Sequence, residues 1–372
     1  MNTNTKSDFL KSWNRTILES LKTRFDKNNM FESIRGFKNQ ITESFIIESD
    51  WYEKNKKIID SIKSNNINSI LVCGMGGSAI GGEVAKTMLF NNMTVPISIN
   101  RSNSIPNWVN NNTLVIILSY SGNTYETIDS FFQSIKKTTN IISVSTQLGK
   151  INKFSLANDL PIINIPSGLQ PRCALGYISS IMILLLVRLN LVEKPKRIKS
   201  DLAESIVELK DVDRMNNMID NPMLLISHQI KDTKPIIYGL ENSTSIAAIR
   251  FKNQLQENAK MNSFCSDFPE INHNEIESWR SYNNLFFIIW LKDECLDQKS
   301  TFLMNKTVDL IDDLGIKQES ILLNAKGGSN SNKIAKLFKL IYFLDWISYY
   351  TALLNSVNPI SINNIESVKN SI

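Results

Sequence analysis

The chain has few of the residues that build metal centres or disulfide frameworks. Among its 372 residues are two histidines, His228 and His273, and four cysteines. The cysteines lie far apart, with no Cys-x-x-Cys pair, so there are few candidate zinc ligands and the pattern is typical of reduced thiols in a cytosolic protein. We therefore expect no metal site. We also expect no cofactor.

Long apolar runs and one-sided charge are also missing. The most apolar stretch, 181–187, ends at Arg188, whereas a membrane-spanning helix needs about 20 residues. The first residues lack the apolar core of a signal peptide, so we expect a cytoplasmic protein. The net charge is +5 and the pI about 8.8. Because the basic residues are scattered, we expect a small anionic partner and neither nucleic acid nor membrane.

The chain alternates two kinds of segment that are typical of α/β proteins. Its length is more than one typical core requires and suits two domains. From about residue 68, short β-branched runs alternate with longer helical segments, which predicts a parallel sheet with crossover helices. In the first half this pattern predicts strands at 69–73, 96–100, 113–118, 141–145 and 161–165, and a closing helix over 174–191.

The second half repeats this plan in weaker form, which favours internal duplication. It predicts strands at 235–238, 285–290 and 321–324, a helix from about residue 243 and a helix over 333–354. We predict an N-terminal helical segment (1–40), a first domain (41–192), a linker (193–221) and a second domain (222–372). The second copy has Leu-Lys-Asp-Glu at 291–294 where the first has a hydroxyl-rich loop, so we expect one anion site per chain.

Two polar loops follow neighbouring predicted strands. The first, 74–82, reads Gly-Met-Gly-Gly-Ser-Ala-Ile-Gly-Gly, and the second, 119–124, reads Ser-Tyr-Ser-Gly-Asn-Thr. Ligands bind at the carboxyl edge of open parallel sheets, and a glycine turn that opens a helix aims free N–H groups at an anion. The pattern predicts a phosphate site formed by Gly77, Ser78, Ser119, Ser121 and Thr124.

Two other interpretations of these loops compete with the phosphate site. Gly74, Gly76 and Ala79 also fit a dinucleotide fingerprint, but the strand at 96–100 does not end in the acidic residue that would hold a ribose. Ordinary capping of helices by serine and threonine explains one such loop more easily than two on neighbouring strands.

The two loops resemble the phosphate loops of the sugar-isomerase (SIS) superfamily, most of all those of the bifunctional phosphoglucose/phosphomannose isomerases. Three further segments, 166–172, 256–260 and 269–275, resemble that family in the same order. The resemblance spans about residues 26 to 369. It implies two SIS domains, each a parallel sheet flanked by helices and the second degenerate at the phosphate loop. It also implies a cofactor-free isomerase of glucose 6-phosphate and fructose 6-phosphate, with mannose 6-phosphate as a further candidate substrate.

Moving a carbonyl between C1 and C2 requires a base, a group that opens the sugar ring and positive charge beside the enediolate. The resemblance assigns these roles to Glu257, to His273 with Lys369, and to Arg172. In that family the histidine comes from the partner subunit, which implies a homodimer. Without the resemblance, Glu257 would be interpreted as a solvated helical residue. For Arg172 the alternative is a salt bridge that caps the sheet edge.

The match is looser near the C-terminus, where Ile360 and Ser361 follow Pro359 in place of the family's usual Thr-Pro pair. This departure leaves the preferred hexose open. Two alternatives remain: a SIS module that senses a sugar phosphate without catalysis, and an isomerase of a related amino- or sedoheptulose-type sugar phosphate. A sensor would not need the catalytic residues together, and the amino-sugar synthases carry a glutamine-hydrolysing domain that we do not find.

Overall fold

The computed structural model describes residues 15–281, 285–324 and 332–369. The chain forms two compact units, which are considered separately. The first unit is Gly36–Ile206, and the second unit combines Met1–Arg35 with Val207–Ile372. The predicted linker contains the division between them, while the predicted domain limits stay a prediction.

The helices and strands alternate as the sequence pattern indicates. The helices are α1 Arg15–Phe25, α2 Met30–Arg35, α3 Phe37–Ser64, α4 Gly76–Met88, α5 Tyr125–Ser134, α6 Lys150–Ala157, α7 Leu175–Arg188, α8 Pro195–Asn216, α9 Pro222–Ile230, α10 Ser245–Ala259, α11 Gln298–Asp313, α12 Lys333–Leu354 and α13 Asn363–Lys369. The strands are β1 Ser69–Cys73, β2 Ile97–Asn100, β3 Thr113–Ser119, β4 Ile141–Ser145, β5 Ile162–Asn164, β6 Lys234–Leu240, β7 Phe264–Phe268, β8 Phe286–Asp293 and β9 Gln318–Leu323.

The sheet of the first unit is entirely parallel, in the order β2-β1-β3-β4-β5. Every residue of β3 and β4 is buried, as expected when helices cover both faces of a sheet. Helices α3 and α4 pack against α7, while Phe131 of α5 and Ile151 of α6 share an apolar cluster with Leu71 and Val115 of the sheet. The predicted strands of this half are confirmed.

The sheet of the second unit, in the order β7-β6-β8-β9, is also parallel. Its order matches that of the first four strands of the other sheet, which supports the predicted repetition. Strand β7, Phe-Cys-Ser-Asp-Phe, was not predicted. It contains no β-branched residue and lies at the sheet edge with Phe264 exposed, so the alternation that identifies a half-buried strand is absent.

Helix α12 is the central helix of the second unit. By length and hydropathy it could cross a membrane, but 89% of its apolar 18-residue stretch is buried inside the protein. Its three buried charged residues are all paired, among them Lys336 with Glu294, and Asp345 with Arg250 of α10. The second pair is bidentate, with Arg250 Nε 3.1 Å and Nη2 2.7 Å from the two carboxylate oxygens. Such pairing offsets the free-energy cost of removing a charged group from water.

This ion pair leads to a stability prediction. We expect Asp345→Asn to lower the free energy of unfolding by about 3–5 kcal/mol, because a buried guanidinium loses its counter-charge. Urea unfolding is the measurement, and Asp313→Asn, on the exposed face of α11, is the matched control. Equal losses in the two variants would contradict the prediction.

Candidate active site

The two predicted loops leave neighbouring strands of the first unit at its topological switch point. Strand β1 pairs with β2 on one side and with β3 on the other. The connections after β1 and β3 therefore diverge and leave a crevice at the carboxyl edge, where open α/β sheets bind ligands. The Tyr120 amide donates a hydrogen bond to Ser78 Oγ at 3.1 Å, so the structure places the two loops in direct contact.

Glycine is required in the first loop for a close approach. A Cβ on Gly77 would lie 2.9 Å from the Pro171 carbonyl oxygen and 3.2 Å from the Arg172 nitrogen. The loop therefore lies against the 3-10 helix Pro171–Cys173, which carries Arg172. The Arg172 side chain is only 4% exposed. The sequence placed Gly77 and Arg172 in different segments, and the fold brings their backbones together.

Local hydrogen bonds shape the second loop. Ser119 Oγ accepts a bond from the Gly122 amide at 3.1 Å and lies 3.4 Å from Thr124 Oγ1. Exposed Ser121 accepts a bond from the Asn123 amide at 3.3 Å. Gly122 has a φ of +68° and packs against the backbone of Gly149. These bonds hold a tight turn with its hydroxyl groups at the crevice.

The helix starts behind the loops are not capped by side chains. Met75 precedes α4 and Thr124 precedes α5, and neither side chain accepts a bond from the helix amides. Thr127, in the first turn of α5, is 1% exposed, and its hydroxyl has no partner among the described residues. The missing cap bonds weaken the interpretation of the loops as ordinary caps, because no cap side chain occupies the first amides of either helix and an anion can bind there.

Two residues that the sequence analysis did not single out hold the Arg172 segment. Gln40 of α3 donates to the Cys173 carbonyl at 2.7 Å and accepts from the Tyr177 amide at 3.3 Å. The Tyr120 hydroxyl donates to the Pro166 carbonyl and accepts from the Leu169 amide, both at 3.0 Å. Burial raises the pKa of the Tyr120 phenol above its ordinary value, which further favours the protonated form that donates to Pro166. Tyr120 lies inside the loop motif, but nothing in the sequence pointed to Gln40.

The other predicted catalytic residues belong to the second unit. Glu257 is partly buried in the last turn of α10, while Gln254 and Arg250, which precede it along the helix, both bind Asp345. Those two residues therefore hold α10 against α12. His273 is exposed at the end of the 3-10 helix Glu270–His273, and Lys369 is exposed at the end of α13.

Glu275, next to the histidine segment, has a structural role. Its carboxylate accepts a 2.7 Å bond from the Tyr238 hydroxyl, which in turn accepts one from Trp279 Nε1 at 3.0 Å. Burial, followed by the bond to Glu275, raises the pKa of the Tyr238 phenol. The arrangement ties the 3-10 helix Glu275–Ser281 to the sheet.

The corresponding edge of the second unit carries carboxylates. Ser245, at the start of α10, donates to Asp267 Oδ1 at 2.6 Å, and Ser243 donates to Asp293. Thr244 Oγ1 donates to the Leu291 carbonyl at 2.6 Å. The serine hydroxyls at this edge are thus already bound to carboxylates, which supports a single anion site per chain. Among the described residues, no group of three or more His, Cys, Asp or Glu side chains could hold a metal ion.

Comparison with known proteins identifies the family. The family model of the bacterial phospho-glucose isomerase C-terminal SIS domain matches residues 219–372. The bifunctional phosphoglucose/phosphomannose isomerase of Caldicellulosiruptor bescii is 33% identical over 350 residues, 92% of this chain and 98% of that protein. The chain belongs to the bifunctional phosphoglucose/phosphomannose isomerase family.

The chain is also similar to a protein with another name and to a protein of known structure. The D-glucosamine-6-phosphate 4-epimerase of Sulfolobus acidocaldarius is 30% identical over 264 residues, 69% of this chain and 81% of that protein. A hypothetical protein of Thermus thermophilus, of known structure, superposes with a TM-score of 0.75 at 14% identity, covering 99% of this chain and 94% of that one. At this level of identity the structural match shows a shared fold. The predicted fold of two SIS domains is confirmed.

The Tyr120 hydrogen bonds lead to a second stability prediction. We expect Tyr120→Phe to lower the free energy of unfolding by about 1–3 kcal/mol, because the Leu169 amide and the Pro166 carbonyl lose their partner. Amide hydrogen exchange over residues 166–172 should accelerate. The control is Tyr125→Phe, since Tyr125 is 52% exposed. Indistinguishable behaviour of the two variants would show that the hydroxyl does not hold this segment.

Proposed function

We propose that this family member is a cytoplasmic aldose–ketose isomerase that interconverts glucose 6-phosphate and fructose 6-phosphate and also accepts mannose 6-phosphate. The observation that carries the proposal is the glycine-rich loop 74–82 beside the hydroxyl-rich loop 119–124 at the β1/β3 crevice, together with two helix starts without side-chain caps. Family membership supports the reaction type.

In the proposed complex the substrate phosphate occupies this crevice. The amides at the starts of α4 and α5 and the hydroxyls of Ser78, Ser119, Ser121 and Thr124 donate to its oxygens. Gly77 allows the backbone to approach. The positive ends of two helices favour a dianion at this position.

The chemistry is assigned to four side chains. Glu257 removes the proton from C2 of the open-chain aldose and returns it to C1, while a proton passes from the C2 hydroxyl to the oxygen on C1. Arg172 stabilises the enediolate that forms between these steps, because its charge is fixed at neutral pH. His273, assisted by Lys369, exchanges a proton with the ring oxygen when the sugar ring opens.

We further propose a homodimer in which His273 reaches the active site of the partner subunit. The exposed position of His273 at the end of a short 3-10 helix supports this assignment, since an exposed imidazole is accessible to a second chain. Size-exclusion chromatography with light scattering measures the assembly.

Epimerisation of an amino-sugar phosphate is a second candidate, because one relative is named a D-glucosamine-6-phosphate 4-epimerase. Incubation with fructose 6-phosphate and with glucosamine 6-phosphate, followed by product identification, distinguishes the two reactions. Turnover of the amino sugar alone would replace the proposed substrate. Absence of turnover on both would favour the sensor.

The anion site leads to a kinetic prediction. The double variant Ser121→Ala, Thr124→Ala should raise KM for fructose 6-phosphate at least about 10-fold, since hydrogen bonds to a charged group contribute roughly 1.5–3 kcal/mol each. Thr139→Ala, which removes an exposed threonine hydroxyl outside the loops, serves as the control. An unchanged KM in the double variant would exclude these hydroxyls from the phosphate site.

The proposed base leads to a prediction about turnover. Glu257→Gln keeps the side-chain shape and the helix propensity but removes the proton acceptor. Because general acid–base catalysis contributes about 10²- to 10⁴-fold, kcat should fall by at least the lower factor while phosphate binding persists. Glu241→Gln, an exposed residue of the same unit, is the control. A Glu257→Gln enzyme with near-parent kcat would place the base elsewhere.

A further inference from the structure

Lys260 ends the Glu257 helix in a backbone conformation that normally favours glycine. It is the C-terminal cap of α10, with φ of +55° and ψ of +39°. Glycine commonly occupies this left-handed position after a helix because it has no Cβ to clash. A lysine in this conformation is strained, and its side-chain contacts offset that strain.

The ammonium group of Lys260 joins two parts of the second unit. Nζ donates to the backbone carbonyl oxygens of Glu257 at 2.7 Å and Asn258 at 3.3 Å, and to that of Asn358 at 2.7 Å. The last four carbonyls of a helix lack partners within the helix, and their negative dipole end attracts a cation. Lys260 thus donates to two of the free carbonyls at the end of its own helix. It also donates to one carbonyl of a segment distant in the sequence.

A second hydrogen bond reinforces this junction. Asn355, which follows α12, donates through Nδ2 to the Ala259 carbonyl at 3.2 Å. The last turn of α10, which carries Glu257, is therefore bound to residues 355–358 at two points. That segment continues through Pro359 into α13, which ends at Lys369. One short stretch of chain thus links the helix of the proposed base to the helix of the proposed ring-opening lysine.

We propose that Lys260 is a positioning residue for the isomerase. Its ammonium clamps the last turn of α10 to the 355–358 segment and so fixes Glu257 relative to the helix that presents Lys369. The assignment rests on the proposed function, in which Glu257 is the base. Placement matters because an error of about 1 Å in a reacting group can lower the rate by about 100-fold.

The unusual backbone conformation permits a selective test. Lys260→Gly removes the ammonium but suits the left-handed backbone, so the helix end keeps its shape. Lys260→Arg restores a cation that can donate to the same carbonyls. The matched control is Lys194→Gly, because Lys194 is also exposed and has a φ of +51° but lies in the first unit.

Two readouts are compared in the full-length protein. In Lys260→Gly, kcat on fructose 6-phosphate should fall about 10- to 100-fold, while KM stays at the parent value because the phosphate loops belong to the first unit. Amide hydrogen exchange over residues 355–362 should accelerate. Lys260→Arg should recover most of both properties, and Lys194→Gly should match the parent protein.

Each outcome bears on a separate claim. Unchanged exchange over 355–362 in Lys260→Gly would overturn the clamp, whatever the activity. Faster exchange with parent kcat would overturn the positioning role. A parent protein without isomerase activity would refute the proposed function and with it the positioning role, while the exchange measurement would still decide the clamp.

Discussion

The crevice between β1 and β3 is the constraint on which the candidate site depends. Two neighbouring parallel strands send their connections to opposite sides of one sheet, so the loops after them meet only at the carboxyl edge. The hydrogen bond between the Tyr120 amide and Ser78 Oγ joins the two loops there. Gly77 allows the backbone at Arg172 to pack closely against the first loop. The proposed phosphate loops and the proposed enediolate-stabilising arginine are thus brought together by one feature of the topology.

The second unit has the same strand order but a different chemistry at the equivalent edge. Asp267 and Asp293 accept hydrogen bonds from the serines near the start of α10, so the hydroxyl groups at this edge are already bound to carboxylates. Helix α10, which follows β6, has no proposed role in phosphate binding. It carries the proposed base in its last turn. Duplication of one fold, followed by divergence at the loops, accounts for this division of roles.

Buried polar contacts fix how α10 packs against α12 in the second unit. Arg250 and Gln254 converge on Asp345, and Asn258 donates to Ser348 at 2.9 Å. These bonds align α10 along α12, while Lys260 secures its end. Partly buried Glu257 is thereby carried on a helix whose rotation and end point are both restrained, as its proposed role as the base requires.

The sequence by itself determined the α/β alternation, the two parallel sheets and the loop residues at 74–82 and 119–124, because these depend on short-range periodicity and local turn chemistry. It did not reveal β7, whose composition lacks the usual strand signal, or the grouping of Met1–Arg35 with the second unit. Only the tertiary structure identified Gln40, the Tyr120 bonds and the Lys260 junction. Each of these joins groups far apart in the chain, and no local pattern records which distant backbone carbonyl a side chain will meet.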